Sequence, residues 1–478
     1  MQQGLPAPSF CEVVSCAILP EGIVSQAACR SFRRFEAKLA HSARPGATRR
    51  RRLTGVSKGV FTVAQTKSTS ATAAQPSYIP TREELVLEAR KLVPVLRERA
   101  QASDELRTLP DETVADLKAA GIHKIFTPKR YGGFEMDWGA HVDVSRELGR
   151  GCGSTSWVAS VVMSHTWILG RFPARAQEEF WPDTPDAIIA TAFAGGGTME
   201  PVDGGFVLNG QWRFASGVDH ANCAVVGGRY NIKNRTSEGR LRYRMAHLLP
   251  EDYEIVDTWH AEGLKGTGSK DILVKDRFVP EYRTVRSEEL AGKEPPGAKL
   301  HESYIYRTEL GQLFYTLLCG PMLGATRGGL EHYLEQTRER TGQMFGESIV
   351  EQIPVQIRVA ESFEELRVAD LITDNLMQFL HEAGSSGKQI RGIDRLRIRR
   401  EPAMAAKLCL SAITRVANMM GVTGQTGNNP VQRHYRDMRT ISTHGGLNWD
   451  TGMMPTGKLL LGVPTGDPLT DVDIEKPW

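Results

Sequence analysis

An apolar stretch from Ser154 to Trp167 contains a histidine, His165, among small and branched side chains. Imidazole is the side chain that most readily serves as a base or hydrogen-bond partner near neutral pH. A histidine within an apolar helix is nevertheless more often a core residue with a single hydrogen-bond partner. Taken by itself, the segment leaves both interpretations open.

A second segment, from Gly210 to His220, indicates a site for a planar ligand. Trp212 and Phe214 would form an aromatic surface. Ser216 and Gly217 would add a hydroxyl group and an accessible backbone beside it. The simpler interpretation is a β-hairpin with ordinary turn residues, and the segment alone does not exclude it.

Two further segments are rich in glycine. Residues Gly263 to Asp271 hold three glycines in six positions, which would leave backbone amides free to approach an anion or a ring. Residues Met419 to Asp450 contain His444, which precedes two glycines. Neither segment matches a phosphate-binding P-loop or a dinucleotide-binding fingerprint. The motifs of serine hydrolases, zinc proteases and paired-cysteine sites are also missing, so we expect no bound metal.

Length and charge describe an enzyme-sized body with an unusual N-terminus. The 478 residues are 40% hydrophobic, and no stretch approaches the ~20 apolar residues of a membrane span. The net charge of +3 divides into +8 for residues 1–78 and −5 for the remaining 400. A weakly acidic body argues against a nucleic-acid-binding protein.

Residues 1–78 are predicted to be a disordered basic extension. They are poor in acidic residues, contain four consecutive arginines from Arg49 to Arg52, and lack apolar periodicity. A transit peptide, a nucleic-acid-binding arm and an upstream extension all fit this composition. We favour the extension, with translation beginning near Val56 or Val63, because no aromatic residues are interleaved with the basic run.

The remaining chain divides into helical, β-rich and helical parts. Residues 79–185 show helical spacing of apolar residues and predict an N-terminal helical domain. Residues 186–300 contain short β-rich runs between Gly, Asp and Asn turns, which predict an antiparallel β domain. Residues 301–465 return to helical periodicity and predict a bundle. Residues 466–478 form a C-terminal tail.

Two features of the helical parts can be located in detail. Thr81 and Glu84 have the spacing of a capping box and predict a helix start. In the last part, apolar residues that step by three or four predict one core-facing stripe, formed by Val359, Phe363, Leu366, Ala369, Ile372, Leu376 and Phe379.

Three segments, in this order, resemble those of the acyl-CoA dehydrogenase fold family. They are GGFVLNGQWRFASG at 204–217, GLKGTGSKDILVKDRFVP at 263–280 and GVTGQTGNNPVQRHYRD at 421–437. The resemblance covers nearly all of residues 80–465. It implies an α+β fold with an N-terminal helical domain, a middle antiparallel β-barrel and a C-terminal four-helix bundle. Flavin would lie between the last two parts, normally in a tetramer.

Two departures point away from the dehydrogenases of this fold. Where these commonly carry Tyr-Glu-Gly-Thr, with the glutamate as base, this chain has Thr-His-Gly-Gly at 443–446. Where they tend to hold an arginine for the cofactor phosphates, it has Gly342, and Arg340 is a possible replacement. Both departures favour the flavin monooxygenase branch. That branch includes p-hydroxyphenylacetate hydroxylase, the phenol hydroxylase of steroid-ring degradation and dibenzothiophene monooxygenase.

This branch implies the oxygenase component of a two-component flavin monooxygenase. Reduced flavin (FMNH₂ or FADH₂) would come from a separate NAD(P)H-flavin reductase, with O₂ as co-substrate. The resulting C4a-hydroperoxide would hydroxylate a small aromatic substrate, which we expect to be phenolic. We also expect a homotetramer in the cytoplasm, with no nucleic-acid partner and no membrane association.

The resemblance also assigns roles to individual residues. The catalytic residues would be His165, His444 and Ser216, the last of them beside flavin N5. The substrate-binding residues would be Arg307, Trp157 and Trp167. The cofactor-binding residues would be Trp212, Phe214, Ser216, Gly217, Arg340 and Gly424.

Three alternatives remain open from the sequence. An acyl-CoA dehydrogenase with a relocated base, at Glu339 or Glu347, would bind FAD tightly and be reduced by an acyl-CoA. Nitrogen and sulfur oxidation use the same scaffold, so an N- or S-oxygenase is a second alternative. A basic-armed binding protein that retains only the flavin fold would bind no reduced flavin.

Overall fold

The computed structural model describes residues 78–230, 242–342 and 346–475. The basic extension that the sequence predicts at residues 1–78 therefore lies outside the described residues, except for its last residue. Within the described residues, the order is helical, then β, then helical, as predicted.

The first part consists of five α-helices, and one of them is completely buried. The helices are α1 (Arg82–Leu106), α2 (Asp111–Ala119), α3 (Trp138–Gly151), α4 (Gly153–Leu169) and α5 (Ala174–Phe180). The predicted capping box is confirmed, because Thr81 Oγ1 accepts the Glu84 N–H at 3.2 Å and the Glu84 carboxylate accepts the Thr81 N–H at 2.7 Å. Every residue of α4 is buried. Its polar side chains must therefore find partners inside the protein.

The middle part is a seven-stranded sheet. Its strands are β1 (Ile189–Val202), β2 (Gly205–Ala215), β3 (Cys223–Tyr230), β4 (Arg242–Leu248), β5 (Glu254–Val256), β6 (Lys270–Pro280) and β7 (Thr284–Arg286). Their order is β5-β6-β2-β1-β3-β4-β7. All neighbouring pairs are antiparallel except β1 and β3, which are parallel. The sheet is open rather than closed into the predicted barrel, and its two edge strands have only three residues each, which is too short to pair along the full length of the longer strands.

Strand β2 ends in an irregularity that matters for the site. Its pairing with β6 shifts register between Trp212 and Ala215, and Phe214 has a φ of +70°. This shift breaks the two-residue alternation of side chains. Trp212 is consequently buried in the sheet, whereas Phe214 is 47% exposed. Gly217 follows with a φ of +72°, a conformation that suits glycine.

The last part is helical again. It contains α6 (Ser287–Ala291), α7 (Leu310–Thr316), α8 (Cys319–Thr337), α9 (Ile353–Ser385), α10 (Gly392–Arg395), α11 (Arg397–Met419), α12 (Pro430–Ser442) and α13 (Trp449–Leu460). The four helices α8, α9, α11 and α12 pack together, and α3 packs against α8. The core therefore runs continuously from the first part into the last.

The predicted core stripe of α9 holds only in part. Leu366, Ala369 and Leu376 are buried, but Phe363 is 55% exposed. Ser362 takes the core position instead, because successive residues of a helix lie about 100° apart around its axis. Among the residues described, no helix combines the length and the apolar character needed to cross a membrane.

Candidate active site

Residues from four separate elements meet around the indole ring of Trp157 on α4. The Trp157 Nε1–H donates to Ser216 Oγ, one residue beyond β2, at 3.0 Å. The ring of His444, which precedes α13, packs edge-on against Trp157 with centroids 5.6 Å apart. Phe314 of α7 lies 5.5 Å from the His444 ring. The fold thus brings together three of the predicted site residues and adds Phe314, which the sequence motifs did not single out.

His444 is held in one tautomer by the backbone. Its Nδ1 atom accepts the N–H of Gly446 at 3.1 Å. A ring nitrogen that accepts carries no proton, so the neutral imidazole has its proton on Nε2. Desolvation lowers the pKa of His444 to about 4, which keeps the ring neutral at physiological pH. His444 therefore offers an Nε2–H donor next to Trp157.

His165 is held in the opposite tautomer. Its Nδ1 atom lies 2.8 Å from the carbonyl oxygen of Ile189 at the start of β1. A carbonyl can only accept, so Nδ1 carries the proton and Nε2 keeps a lone pair. Burial lowers the pKa of His165 to about 4. Both histidines are thus neutral. His165 presents an acceptor at Nε2, whereas His444 presents a donor at Nε2.

An apolar cavity lies along the face of α4 that carries His165. Val158 and Val162 precede His165 by seven and three residues, a spacing that places all three on one face. The two valines line this cavity together with Ile188. Gly217 lies against the same valines, since a Cβ atom there would stand 3.0 Å from Val158 Cγ1. The surface between the end of β2 and His165 is therefore apolar, which suits chemistry that must exclude water.

Three hydroxyl groups form a chain that starts at Ser216. Ser216 Oγ lies 2.7 Å from Ser269 Oγ, which in turn lies 2.7 Å from Thr267 Oγ1. The Thr267 hydroxyl donates to the carbonyl oxygen of Leu264 at 2.8 Å. The sequence drew attention to this segment for its glycines, and the hydroxyl groups were missed. Their spacing of two residues within the family-like segment is the signal that would have revealed them.

A buried carboxyl group ties this segment to α12. The N–H of Leu264 donates to Asp437 Oδ1 at 2.6 Å. Burial, followed by the charge of Asp104, raises the pKa of Asp437 to about 7. Gly263 is pressed against the same helix, because a Cβ atom there would lie 2.1 Å from the Arg436 carbonyl oxygen. Asp437 was also missed as a site residue, although it closes the family-like segment at 421–437.

Two of the predicted tryptophans lie outside this cluster. Trp167 is fully buried in the helical core, where its Nε1–H donates to Ile305 O at 2.8 Å. The guanidinium group of Arg171 lies 4.2 Å from the Trp167 ring. Trp212 is buried within the sheet and donates its Nε1–H to Gly227 O at 2.6 Å. Because the register shift separates them, Trp212 and Phe214 do not form the single aromatic surface that their spacing suggested.

The two predicted arginines bind backbone carbonyl groups. Arg307 donates to the carbonyl oxygen of His301 at 3.0 Å and makes no contact with Trp157 or Ser216 among the hydrogen bonds of the described chain. Arg340 donates to Met419 O at 3.0 Å, at the end of α11. Gly424 lies buried in the turn that follows this helix. The roles of these residues toward substrate or flavin stay predictions.

Comparisons with protein families match both helical parts of the chain. Residues 80–183 match the family described as acyl-CoA dehydrogenase, N-terminal domain. Residues 316–449 match the family described as acyl-CoA dehydrogenase, C-terminal domain.

Individual proteins are similar over most of the described length. The flavin-dependent monooxygenase oxygenase subunit HsaA of Mycobacterium tuberculosis is 32% identical over 378 residues, which are 79% of this chain and 95% of that protein. The oxygenase component of p-hydroxyphenylacetate 3-hydroxylase from Acinetobacter baumannii is 28% identical, over 84% of this chain and 92% of that protein. Among solved structures, XiaF from Streptomyces sp. in complex with FADH2 and glycerol matches with a TM-score of 0.75 and 26% identity, over 81% of this chain and 97% of that chain.

Proposed function

Because this chain belongs to the oxygenase subunits of flavin-dependent monooxygenases, on the acyl-CoA dehydrogenase fold, we propose that it hydroxylates a phenolic ring. The observation that supports a phenolic substrate is the Nε2 lone pair of His165. This neutral imidazole presents an Nε2 lone pair to which no described residue donates a hydrogen bond. A phenolic O–H is a donor that fits such an acceptor.

The cluster around Trp157 fits a reduced flavin ring. Ser216 offers a hydroxyl group, and Trp157 and Phe314 offer flat aromatic surfaces beside it. Ser216 would hold flavin N5, and Trp157 would lie against the ring system. When bound, reduced flavin supplies the electrons that activate O₂. A separate NAD(P)H-flavin reductase would provide the flavin already reduced, and we place both proteins in the cytoplasm.

His165 would act first as a hydrogen-bond acceptor and then as a base. A phenol has a pKa near 10, so it does not transfer its proton to an imidazole whose pKa is about 4. Once an electrophilic OH group is transferred to the ring, the ring carries positive charge and the phenolic O–H becomes strongly acidic. His165 Nε2 can then take that proton, and its hydrogen bond to the phenolic O–H offsets the positive charge on the ring as the new C–O bond forms.

His444 would act on the oxygen that is transferred. The ring that carries its Nε2–H packs against both Trp157 and Phe314. A neutral donor stabilises negative charge that develops on an oxygen atom and does not itself release a proton at neutral pH. The low pKa of His444, about 4, keeps this donor in the same state throughout the physiological range.

The acyl-CoA dehydrogenase alternative requires a catalytic base at the cluster. Glu339 and Glu347, the two relocated bases that the sequence offered, are both exposed. Glu347 lies against Gly342, where a Cβ atom would stand 2.4 Å from its carboxyl group. Within the described residues, neither glutamate contacts Trp157. A thiophene has no hydrogen to donate to His165 Nε2, and an aryl-amine N–H is a much weaker acid than a phenolic O–H.

The proposed function is tested by a substrate panel. The purified protein is given reduced FMN or FAD from a flavin reductase, with O₂ and a set of phenols, aryl-amines and thiophenes. We expect mass spectrometry to show one added oxygen atom on phenols and not on the other two classes. Oxygen uptake without any oxygenated product, or reduction of bound flavin by an acyl-CoA, would contradict the proposal.

The homo-oligomer that the family-like sequence implies has a candidate surface on α9. Ile353, Ile357 and Leu371 are all more than half exposed, and their spacing places them on one face of the helix. Exposed apolar faces of this kind mark association surfaces. We propose that a second copy of this chain covers this face in a homotetramer.

Charge on this face should separate the subunits. We expect the Ile357→Glu/Leu371→Glu double variant to sediment as a smaller species than the wild type, because two carboxylates cannot be buried without partners. The matched control is Leu87→Glu, which alters an exposed apolar residue of α1 and should leave the mass unchanged. A double variant with the wild-type mass would remove α9 from the interface.

A further inference from the structure

We propose that the apolar cavity between α2 and α4 is a binding site for O₂, from which O₂ reaches the cluster around Trp157. The inference rests on the proposed function, in which O₂ is the co-substrate. None of the residues that line the cavity takes part in the side-chain hydrogen bonds of Ser216. The cavity is therefore a separate site from the cluster, and its occupant must be recognised by size and polarity alone.

The size of the cavity limits what it can hold. It has about 20 Å³ of free space for a molecule the size of water, which is room for about one such molecule. An aromatic ring is several times larger, so a phenol does not fit there. A diatomic gas molecule is small enough, and a xenon atom, which enters small apolar cavities of proteins, is a suitable probe.

The walls of the cavity are mostly apolar. The side chains that surround it include Leu109, Val114, Leu117, Ile122, Val158 and Val162. O₂ has no charge and no permanent dipole, so it enters such an interior more readily than water does.

The polar groups at the walls are too few to hold a buried water. His220 Nε2 is already engaged, because it lies 2.9 Å from Leu109 O. His123 Nε2 lies 3.1 Å from Asp186 Oδ1, and His123 Nδ1 has no partner among the described residues. A buried water makes about two to four hydrogen bonds, which one free ring nitrogen does not supply. The cavity is therefore better suited to a gas molecule than to water.

The inner end of the cavity lies beside the end of β2. A Cβ atom at Gly217 would stand 3.0 Å from Val158 Cγ1 and 4.0 Å from Val162 Cγ2, and both valines line the cavity. Gly217 directly follows Ser216, and Trp157 directly precedes Val158. One layer of valine side chains thus separates the cavity from the cluster.

The outer end of the cavity approaches the surface of the protein. Lys118 of α2 and His220 line it and are both partly exposed, whereas Val158 and Val162 are buried. The cavity therefore leads from a position near solvent to the valine layer. A change of rotamer at one valine, which packed interiors permit, is enough to let a diatomic molecule pass.

Xenon tests the cavity without any flavin. We expect crystals of the flavin-free protein under xenon pressure to show a bound atom between Val114 and Val158. Val114→Leu and Ala159→Val each add carbon atoms to the cavity, one from α2 and the other from α4. In solution, xenon NMR should show an affinity at least about 10-fold lower in both variants, because a filled cavity has no room for the atom.

The reaction with O₂ tests the use of the cavity. The rate at which O₂ oxidises the reduced flavin (FMN or FAD) bound to the protein is measured by stopped flow at several O₂ concentrations. We expect the second-order rate constant to fall about threefold or more in Val114→Leu and in Ala159→Val. The dissociation constants of reduced flavin and of the phenol should stay within about twofold of the wild type, since neither molecule occupies the cavity.

Val93→Leu is the matched control. It makes the same substitution at a buried valine of α1 that does not line the cavity, so its xenon affinity and its rate constant should equal those of the wild type. If either Val114→Leu or Ala159→Val fails to fold, the other variant supplies the test.

The possible failures of the two proposals can be told apart. Absence of xenon from the cavity, or a wild-type rate constant for O₂ in the folded variants, would overturn the inference. Weaker binding of the phenol with an unchanged rate constant would also overturn it and make the cavity part of the substrate site. If the cavity binds xenon and the variants react slowly with O₂, but no phenol is hydroxylated, the proposed function alone is wrong. A wild type that binds no reduced flavin would overturn both.

Discussion

Replacing His165 with asparagine should lower the rate of phenol hydroxylation by about 100-fold or more, the usual contribution of a positioned base. The asparagine Nδ2–H group can take the place of the histidine Nδ1–H and still donate to Ile189 O, which now lies 2.8 Å from Nδ1. It supplies no acceptor where Nε2 stands. The substitution therefore removes the lone pair and keeps the structural hydrogen bond.

In this variant, formation of the hydroxylated product should fall while oxygen uptake continues. We expect flavin affinity to stay within about twofold of the wild type and oxygen uptake to continue, with hydrogen peroxide replacing the hydroxylated product. His165→Gln is the matched control, because its side-chain oxygen can stand near the position of Nε2 and should restore part of the activity. An unchanged product yield in His165→Asn would remove this residue from the mechanism.

The pKa of the same histidine predicts how its acceptor role and the folding stability depend on pH. Its pKa is lowered from about 6.5 in the unfolded chain to about 4 in the folded protein. Its acceptor role should therefore persist as the pH falls from 8 to about 5.5 and fail only near pH 4. Over the interval from pH 6.5 to pH 4, the unfolded chain takes up the proton first, so this group lowers folding stability as the pH falls.

Replacing His444 with asparagine should reduce the yield of product per O₂ consumed by about 10-fold or more, as for the loss of a donor to a developing charge. The asparagine Oδ1 atom can accept the Gly446 N–H in place of Nδ1, a hydrogen bond of 3.1 Å in the wild type. The donor at Nε2 is lost. The yield is measured as hydroxylated product against oxygen uptake, with peroxide as the difference.

The two histidine variants differ in how they depend on the substrate. His444→Asn should lower the yield for every substrate that the enzyme accepts, because it acts on the transferred oxygen. His165→Asn should affect phenols more than analogues whose phenolic oxygen is methylated, because only phenols offer it a proton. His444→Gln, which places an N–H near the position of Nε2, should recover part of the yield. A wild-type yield in His444→Asn would exclude the donor role.

Local patterns in the sequence predicted much of the fold. The capping box at Thr81 needs only residues within one helical turn, and the structure has it. The mostly apolar run from Ser156 to Gly170 is typical of a buried helix, and the structure has one at Gly153–Leu169. The stripe on α9 failed at Phe363, because spacing by three or four residues drifts around a long helix and does not say which side meets the core.

Such patterns could not predict the directions of the side chains at the end of β2. Trp212 and Phe214 should share a face in a regular strand, and the register shift against β6 separates them. The resemblance assigned Trp167 and Arg307 to the pocket. In the structure they donate hydrogen bonds to the backbone carbonyl groups of Ile305 and His301, and no local signal identifies such partners.

The sequence by itself determined the family, the order of the three parts and the presence of His165, Ser216 and His444, because these depend on composition, periodicity and linear motifs. Only the tertiary structure decided what these residues can do. A histidine becomes an acceptor or a donor according to whether a carbonyl group or an N–H meets its Nδ1 atom, here Ile189 O for one and the Gly446 N–H for the other. The position of the Ser216 hydroxyl group likewise depends on Trp157 and Ser269, which only folding brings into contact with it.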